Sequence, residues 1–90
     1  MYTVYIIYSV STDRYYKGQT SDFDSRLVRH NSGYEKATAP GRPWIEKCLI
    51  KKDSRSDAVI LEKKLKNMNR IKTAAFILKY SQGSRQDAQA

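Results

Sequence analysis

Residues 2–10 read Tyr-Thr-Val-Tyr-Ile-Ile-Tyr-Ser-Val, a run of aromatic and β-branched side chains that predicts a strand. Ser11-Thr12-Asp13 supplies turn chemistry, and Arg14–Thr20 resumes as a second strand, so the chain opens on a β-hairpin. Gly18, near the end of that second strand, marks a bulge or a close approach of backbone. Ser21 or Asp22 can cap a helix running to about Asn31, with Phe23, Leu27 and the aliphatic part of Arg26 on one stripe. Ser32-Gly33 closes it, and a loop containing Ala-Pro-Gly-Arg-Pro leads to Pro43. Trp44–Lys51 predicts a third strand. Ser56-Asp57 can cap a longer helix to about Asn69, whose apolar positions Ala58, Leu61, Leu65 and Met68 fit helical spacing. Thr73–Tyr80 makes a last helical piece.

The order ββαβαα predicts an α+β fold: a three-stranded antiparallel sheet, the hairpin plus a third strand, flanked by helices. Residues 1–80 form one domain, and 81–90, which lack an apolar face, are expected to be a disordered tail. In a hairpin with an even-length turn, directly opposed residues have numbers that sum to an odd value. Tyr5 and Tyr16 then share a face with Ile7 and Gly18, and Tyr16 sits opposite Ile7 when the turn centres on Ser11-Thr12. The other face, Tyr2, Val4, Ile6, Tyr8 and Val10, is the more uniformly apolar and the better core surface.

Charge changes the picture. There are 17 Lys and Arg against 9 Asp and Glu, a net charge of +8, which favours a polyanionic partner, nucleic acid before any other. Cys48 has no second cysteine to pair with, which points to a reducing cytoplasm and a buried, inert thiol. No run approaches the ~20 apolar residues of a membrane span. No basic leader precedes the first strand, so no signal peptide is read, and a monomer is the default expectation.

Arg26 and His30 stand i, i+4 on one helix and project from the same face; a guanidinium fork suits phosphate, and an imidazole can move a proton near neutral pH. A solvated basic face is the plainer use of the pair. Glu62 flanks the apolar stripe of the longer helix, where it can pair with Lys63 or Lys66, or turn toward the sheet and offer a hard oxygen to Mg²⁺. One histidine and one cysteine fall short of a zinc site. Trp44 serves the core, or stacks on nucleic acid with the 33–43 loop.

In order and spacing these residues resemble the GIY-YIG nuclease family. Val4-Tyr5-Ile6-Ile7-Tyr8 stands for its first signature and Tyr16-Lys17-Gly18-Gln19-Thr20 for its second, Tyr5 and Tyr16 lying eleven residues apart. The stretch Asp22–Gly33 is similar to the family's helix, and Gly41-Arg42-Pro43-Trp44 with Ala58–Leu65 resembles small stand-alone bacterial members. Val4 and Lys17 depart from the named signature residues. The resemblance implies Mg²⁺- or Mn²⁺-dependent hydrolysis of DNA, with RNA left open, in repair or processing. It implies that Glu62 holds the metal, Arg26 binds the scissile phosphate, Tyr5 and Tyr16 activate or orient water, and His30 supports proton transfer. Lys17, Arg29, Lys36 and Arg42 are the candidate nucleic-acid contacts. Tyr5, Tyr16, Arg26, His30 and Glu62 should then converge on one positive patch.

Overall fold

The computed structural model describes residues 1–84. The elements run β1 (Tyr2–Ser9), β2 (Arg14–Thr20), α1 (Phe23–Asn31), β3 (Trp44–Lys52), α2 (Arg55–Lys66) and α3 (Arg70–Ser84), with a 3₁₀ turn at Ala39–Gly41 in the loop before β3. The sheet is antiparallel throughout, in the order β2-β1-β3, so β1 is central and β2 is an open edge. The α+β architecture expected from the sequence is the one observed. Among the described residues no helix is long and apolar enough to cross a membrane.

The hairpin register pairs Tyr5 with Gly18, Ile7 with Tyr16 and Ser9 with Arg14, so opposed numbers sum to an odd value and both tyrosines lie on one face. Asp13 occupies the turn with φ 55°, a left-handed conformation that Asp tolerates better than most residues. On the other side of β1 the ladder slips between Ile6 and Ile7, which face Cys48 and Glu46 and leave Lys47 as the extra residue of a bulge.

Both faces of the sheet are buried, so the face expected to be the better core surface has no advantage over the other. Val4, Ile6 and Cys48 pack with Ala58 and Leu65 of α2 and with Phe76 and Ile77 of α3. Tyr5, Ile7 and Leu49 pack on the opposite face with Phe23 and Leu27 of α1 and with Trp44. Val10, read as part of the core strand, falls in the turn and is exposed. The reason is the central position of β1: a strand flanked on both edges and covered on both faces has no solvent side, so alternation along it carries no inside-outside signal.

Helix ends follow capping chemistry. Asp22 accepts from the Ser25 amide at the start of α1. Ser54, two residues before the expected cap, accepts from Asp57 and starts α2 earlier. α2 then stops at Lys66 and α3 begins at Arg70, splitting the run that sequence periodicity carried to Asn69. α3 continues to Ser84, four residues into the expected tail; residues 85–90 lie outside the described part.

Candidate active site

Tyr5 is the hub. Its ring lies in the apolar layer beneath α1, 5.3 Å from Phe23 and 6.4 Å from Tyr16 between centroids. The phenol crosses the edge strand over Gly18, where a Cβ would come within 2.6 Å of the Tyr5 oxygen. Gly18 therefore makes room for a side chain, where a bulge or a close approach of backbone was expected.

Behind the phenol stands a buried polar chain. Tyr5 Oη and His30 Nε2 are 2.9 Å apart, and His30 Nδ1 is 2.9 Å from the hydroxyl of Thr38, in the loop before β3. Either imidazole tautomer satisfies both ring nitrogens, because each hydroxyl can donate or accept. Trp44 closes this pocket from the side, its indole N–H donating to the Thr38 carbonyl at 2.7 Å. Trp44 is thus a core residue. Thr38 was missed in the sequence, since a threonine in a polar loop carries no periodic or motif signal.

Burial acts on the two titratable groups in opposite senses. The Tyr5 phenol is pushed up to about 12, first by burial and then by the charge of an ionised Tyr16; donation and charge from Arg26 pull it down, and the Glu62 carboxylate adds a further rise. His30 is held below its usual range, first by burial and then by the Arg26 and Arg29 cations, with Glu35 opposing. At neutral pH Tyr5 keeps its proton and His30 is uncharged. Tyr16 is only partly buried and lies 5.0 Å from the His30 ring and 6.2 Å from Trp44 between centroids.

Arg26 and Glu62 belong to helices that cover opposite faces of the sheet, α1 one and α2 the other. The Tyr5 oxygen lies over Gly18 of the edge strand, where Arg26 acts on it by hydrogen bond and charge and Glu62 more weakly by charge alone. Glu62 also holds Lys66 at 2.9 Å, one turn along α2, the ion pair its sequence position allowed.

The candidate nucleic-acid contacts do not gather in one place. Lys17 projects to the α2–α3 face and donates to the Met68 carbonyl at 3.4 Å. Arg29 pairs with Glu35 at 2.8 Å and lies over the Tyr34 ring on the outer side of α1. Arg42 donates to the Ala39 carbonyl and packs on Gly33, whose φ of 83° and missing Cβ make room for the guanidinium. Lys36 is exposed on the same loop. Cys48 is buried, and burial raises its thiol to about 11, well away from reactive thiolate behaviour.

The donor chemistry near Tyr5 suits one kind of metal. Among the described residues no three His, Cys, Asp or Glu side chains gather into a cage. A single partly buried carboxylate, Glu62, is the kind of hard oxygen donor that a divalent cation such as Mg²⁺ takes, since such ions need few protein ligands and keep several waters.

The family model of the GIY-YIG catalytic domain matches residues 1–74, from the first strand into α3. No match was found among curated proteins or among solved structures. The matched span holds both tyrosines, Arg26, His30 and Glu62, and the chain belongs to the GIY-YIG catalytic-domain family, whose chemistry is nuclease-type hydrolysis of phosphodiester bonds.

Proposed function

We propose that this domain is a Mg²⁺- or Mn²⁺-dependent endonuclease acting on DNA, in repair or processing and in the cytoplasm. The observation that carries the reading is the Tyr5 oxygen: His30 bonds it, and the charges of Arg26 and Glu62 act on it from two different helices. The net charge of +8 supports a polyanionic substrate, and the lone buried Cys48 fits a reducing compartment.

The two tyrosines divide the work. A phenol held at about 12 is no free tyrosinate base at neutral pH, so Tyr5 acts with its proton in place. It takes a proton from the attacking water as it passes its own to Nε2 of the uncharged His30, whose Nδ1–H is held by Thr38. Tyr16, the less buried phenol, orients the water. Arg26 binds the scissile phosphate and neutralises the charge that builds up during in-line attack, as the phosphorus–oxygen bond opposite the incoming water breaks and the leaving oxygen takes a proton from solvent. Glu62 would hold the metal, which when bound supplies Lewis-acid stabilisation of the same charge.

Nicking of supercoiled plasmid tests the reading. Cutting is expected with Mg²⁺ or Mn²⁺, to stop in chelator, and to fall by about 10²–10³ in Arg26→Ala and at least as far in Glu62→Ala. Undiminished cutting in Glu62→Ala removes the metal role. Salt-sensitive DNA binding by the wild type without any cutting identifies a binding module that kept the fold and lost turnover.

A further inference from the structure

A second basic feature lies on the other side of β2 from Tyr16. The β1–β2 turn, β2 and the first turn of α3 border an open groove of about 310 Å³ lined by Asp13, Arg14, Tyr15, Lys17, Arg70 and Thr73. Three cations face one carboxylate there, and that carboxylate is already engaged: Asp13 accepts from both Tyr8 and Arg70. Arg70 is fixed in place by this pair, by a second bond to the Asp13 carbonyl at 2.8 Å, and by its position over the Tyr15 ring.

Lys17 is the member with spare capacity. Its ammonium carries three donors, and its one hydrogen bond given by the structure is the long one to the Met68 carbonyl. Burial lowers its pKa, which means the cation sits partly out of water and gains from an anionic partner. Thr73 lines the same groove, fully buried, and its hydroxyl has no hydrogen-bond partner among the described residues. The wall thus holds an unmet polar group beside underused positive charge.

We propose that this groove is a second phosphate subsite, taking a backbone phosphate of the nucleic acid whose scissile phosphate lies at Arg26. The inference rests on the nuclease reading for its choice of ligand. Neighbouring residues of an edge strand point to opposite faces, so Tyr16 meets the candidate active site and Lys17 the groove from consecutive positions. Arg14, at the turn end of the same strand, also lines the groove. A substrate strand that crosses the open β2 edge is held on both sides of it, which fixes its direction over Tyr5 and Tyr16.

The test separates binding from cutting. Fluorescence anisotropy of a labelled DNA oligonucleotide, in chelator and from about 50 to 200 mM salt, compares the wild type with Lys17→Gln and Arg14→Gln. Arg14 is exposed, so its variant keeps the fold if Lys17→Gln does not. Each variant is expected to weaken binding about three- to tenfold and to lower the slope of log K against log salt by about one. Lys79→Gln, on α3 outside the groove, should leave the slope unchanged. Unaltered affinity and slope in both groove variants overturns the subsite and leaves the nuclease reading standing. An altered slope in a protein that cuts nothing supports the subsite while the nuclease reading fails.

Discussion

The phenol of Tyr5 and the Nε2 atom of His30 meet at 2.9 Å in the interior, between residues that are twenty-five apart in sequence and both almost free of solvent. This contact joins the central strand to the first helix. It also gives the helix's imidazole a fixed direction toward the sheet edge, with Thr38 holding the other ring nitrogen. Residues of such a chain have separable structural and chemical roles, because each can lose one polar atom without changing shape.

Tyr5→Phe and Tyr16→Phe should differ in kind. Tyr5→Phe removes the partner of a buried ring nitrogen and is expected to destabilise the fold by about 1–3 kcal/mol as well as slow cutting. Tyr16→Phe, at a partly buried phenol, should slow cutting with stability within about 0.5 kcal/mol of wild type. Urea unfolding beside plasmid nicking checks the pair. Equal stability losses would remove the division of labour between the two tyrosines.

Gly18→Ala places a methyl where the Tyr5 oxygen lies, 2.6 Å away, with a buried ring that has little room to retreat. The expected loss is about 1–3 kcal/mol, with reduced cutting because the phenol is displaced from the edge. Denaturant midpoints and nicking rates of the purified variant measure both effects. A fully stable, fully active Gly18→Ala protein would contradict the phenol's position.

Stability should depend on pH through His30. Its folded pKa lies below the unfolded value of 6.5, so the unfolded chain binds more protons in the window just under that value. The contribution is therefore present above pH ~6.5 and lost as pH falls through the window toward the folded pKa. Tyr5 gives an alkaline arm: raised from 10.0 to about 12, it contributes below pH ~10 and loses that contribution as pH rises toward 12. Thermal melts across pH should show both arms. Thr38→Val, which removes the hydroxyl at Nδ1 without changing shape, should lower stability by about 1–2 kcal/mol near neutrality and alter the acid arm.

Lys66 competes for the carboxylate that the proposed metal needs. Lys66→Ala is expected to lower the Mg²⁺ concentration for half-maximal cutting between ~1.4- and ~5-fold, the worth of one partly exposed ion pair. A metal titration of nicking measures it. An unchanged or raised requirement would show that the Glu62–Lys66 pair persists in the active protein, or that Glu62 holds no metal.

Much of the fold was readable because its signals are local. Strand runs rich in Tyr, Val and Ile, turn residues at 11–13 and the capping Asp22 act within a few positions of themselves. An even turn puts Tyr16 on the Tyr5 face, and centring it on Ser11-Thr12 sets Tyr16 opposite Ile7, which is the register observed. Where the reading failed, the cause was non-local. The face holding Tyr5 and Ile7 was expected to be the lesser core surface, but the packing of α1 and Trp44 against it buries Tyr5 as completely as Val4.

The sequence by itself determined the element order, the shared face of the two tyrosines, the i, i+4 pairing of Arg26 with His30, and the option of a Glu62–Lys66 ion pair. Each follows from backbone periodicity, which a chain carries wherever it folds. Only the tertiary structure decided that Tyr5 is buried against His30, that Thr38 holds the far side of that ring, and that α1 and α2, which carry Arg26 and Glu62, cover opposite faces of the sheet. Those relations depend on which edge of the sheet stays open and on how far a side chain reaches across a glycine. Both are fixed when the layers pack, and neither is written in the spacing of residues along one element.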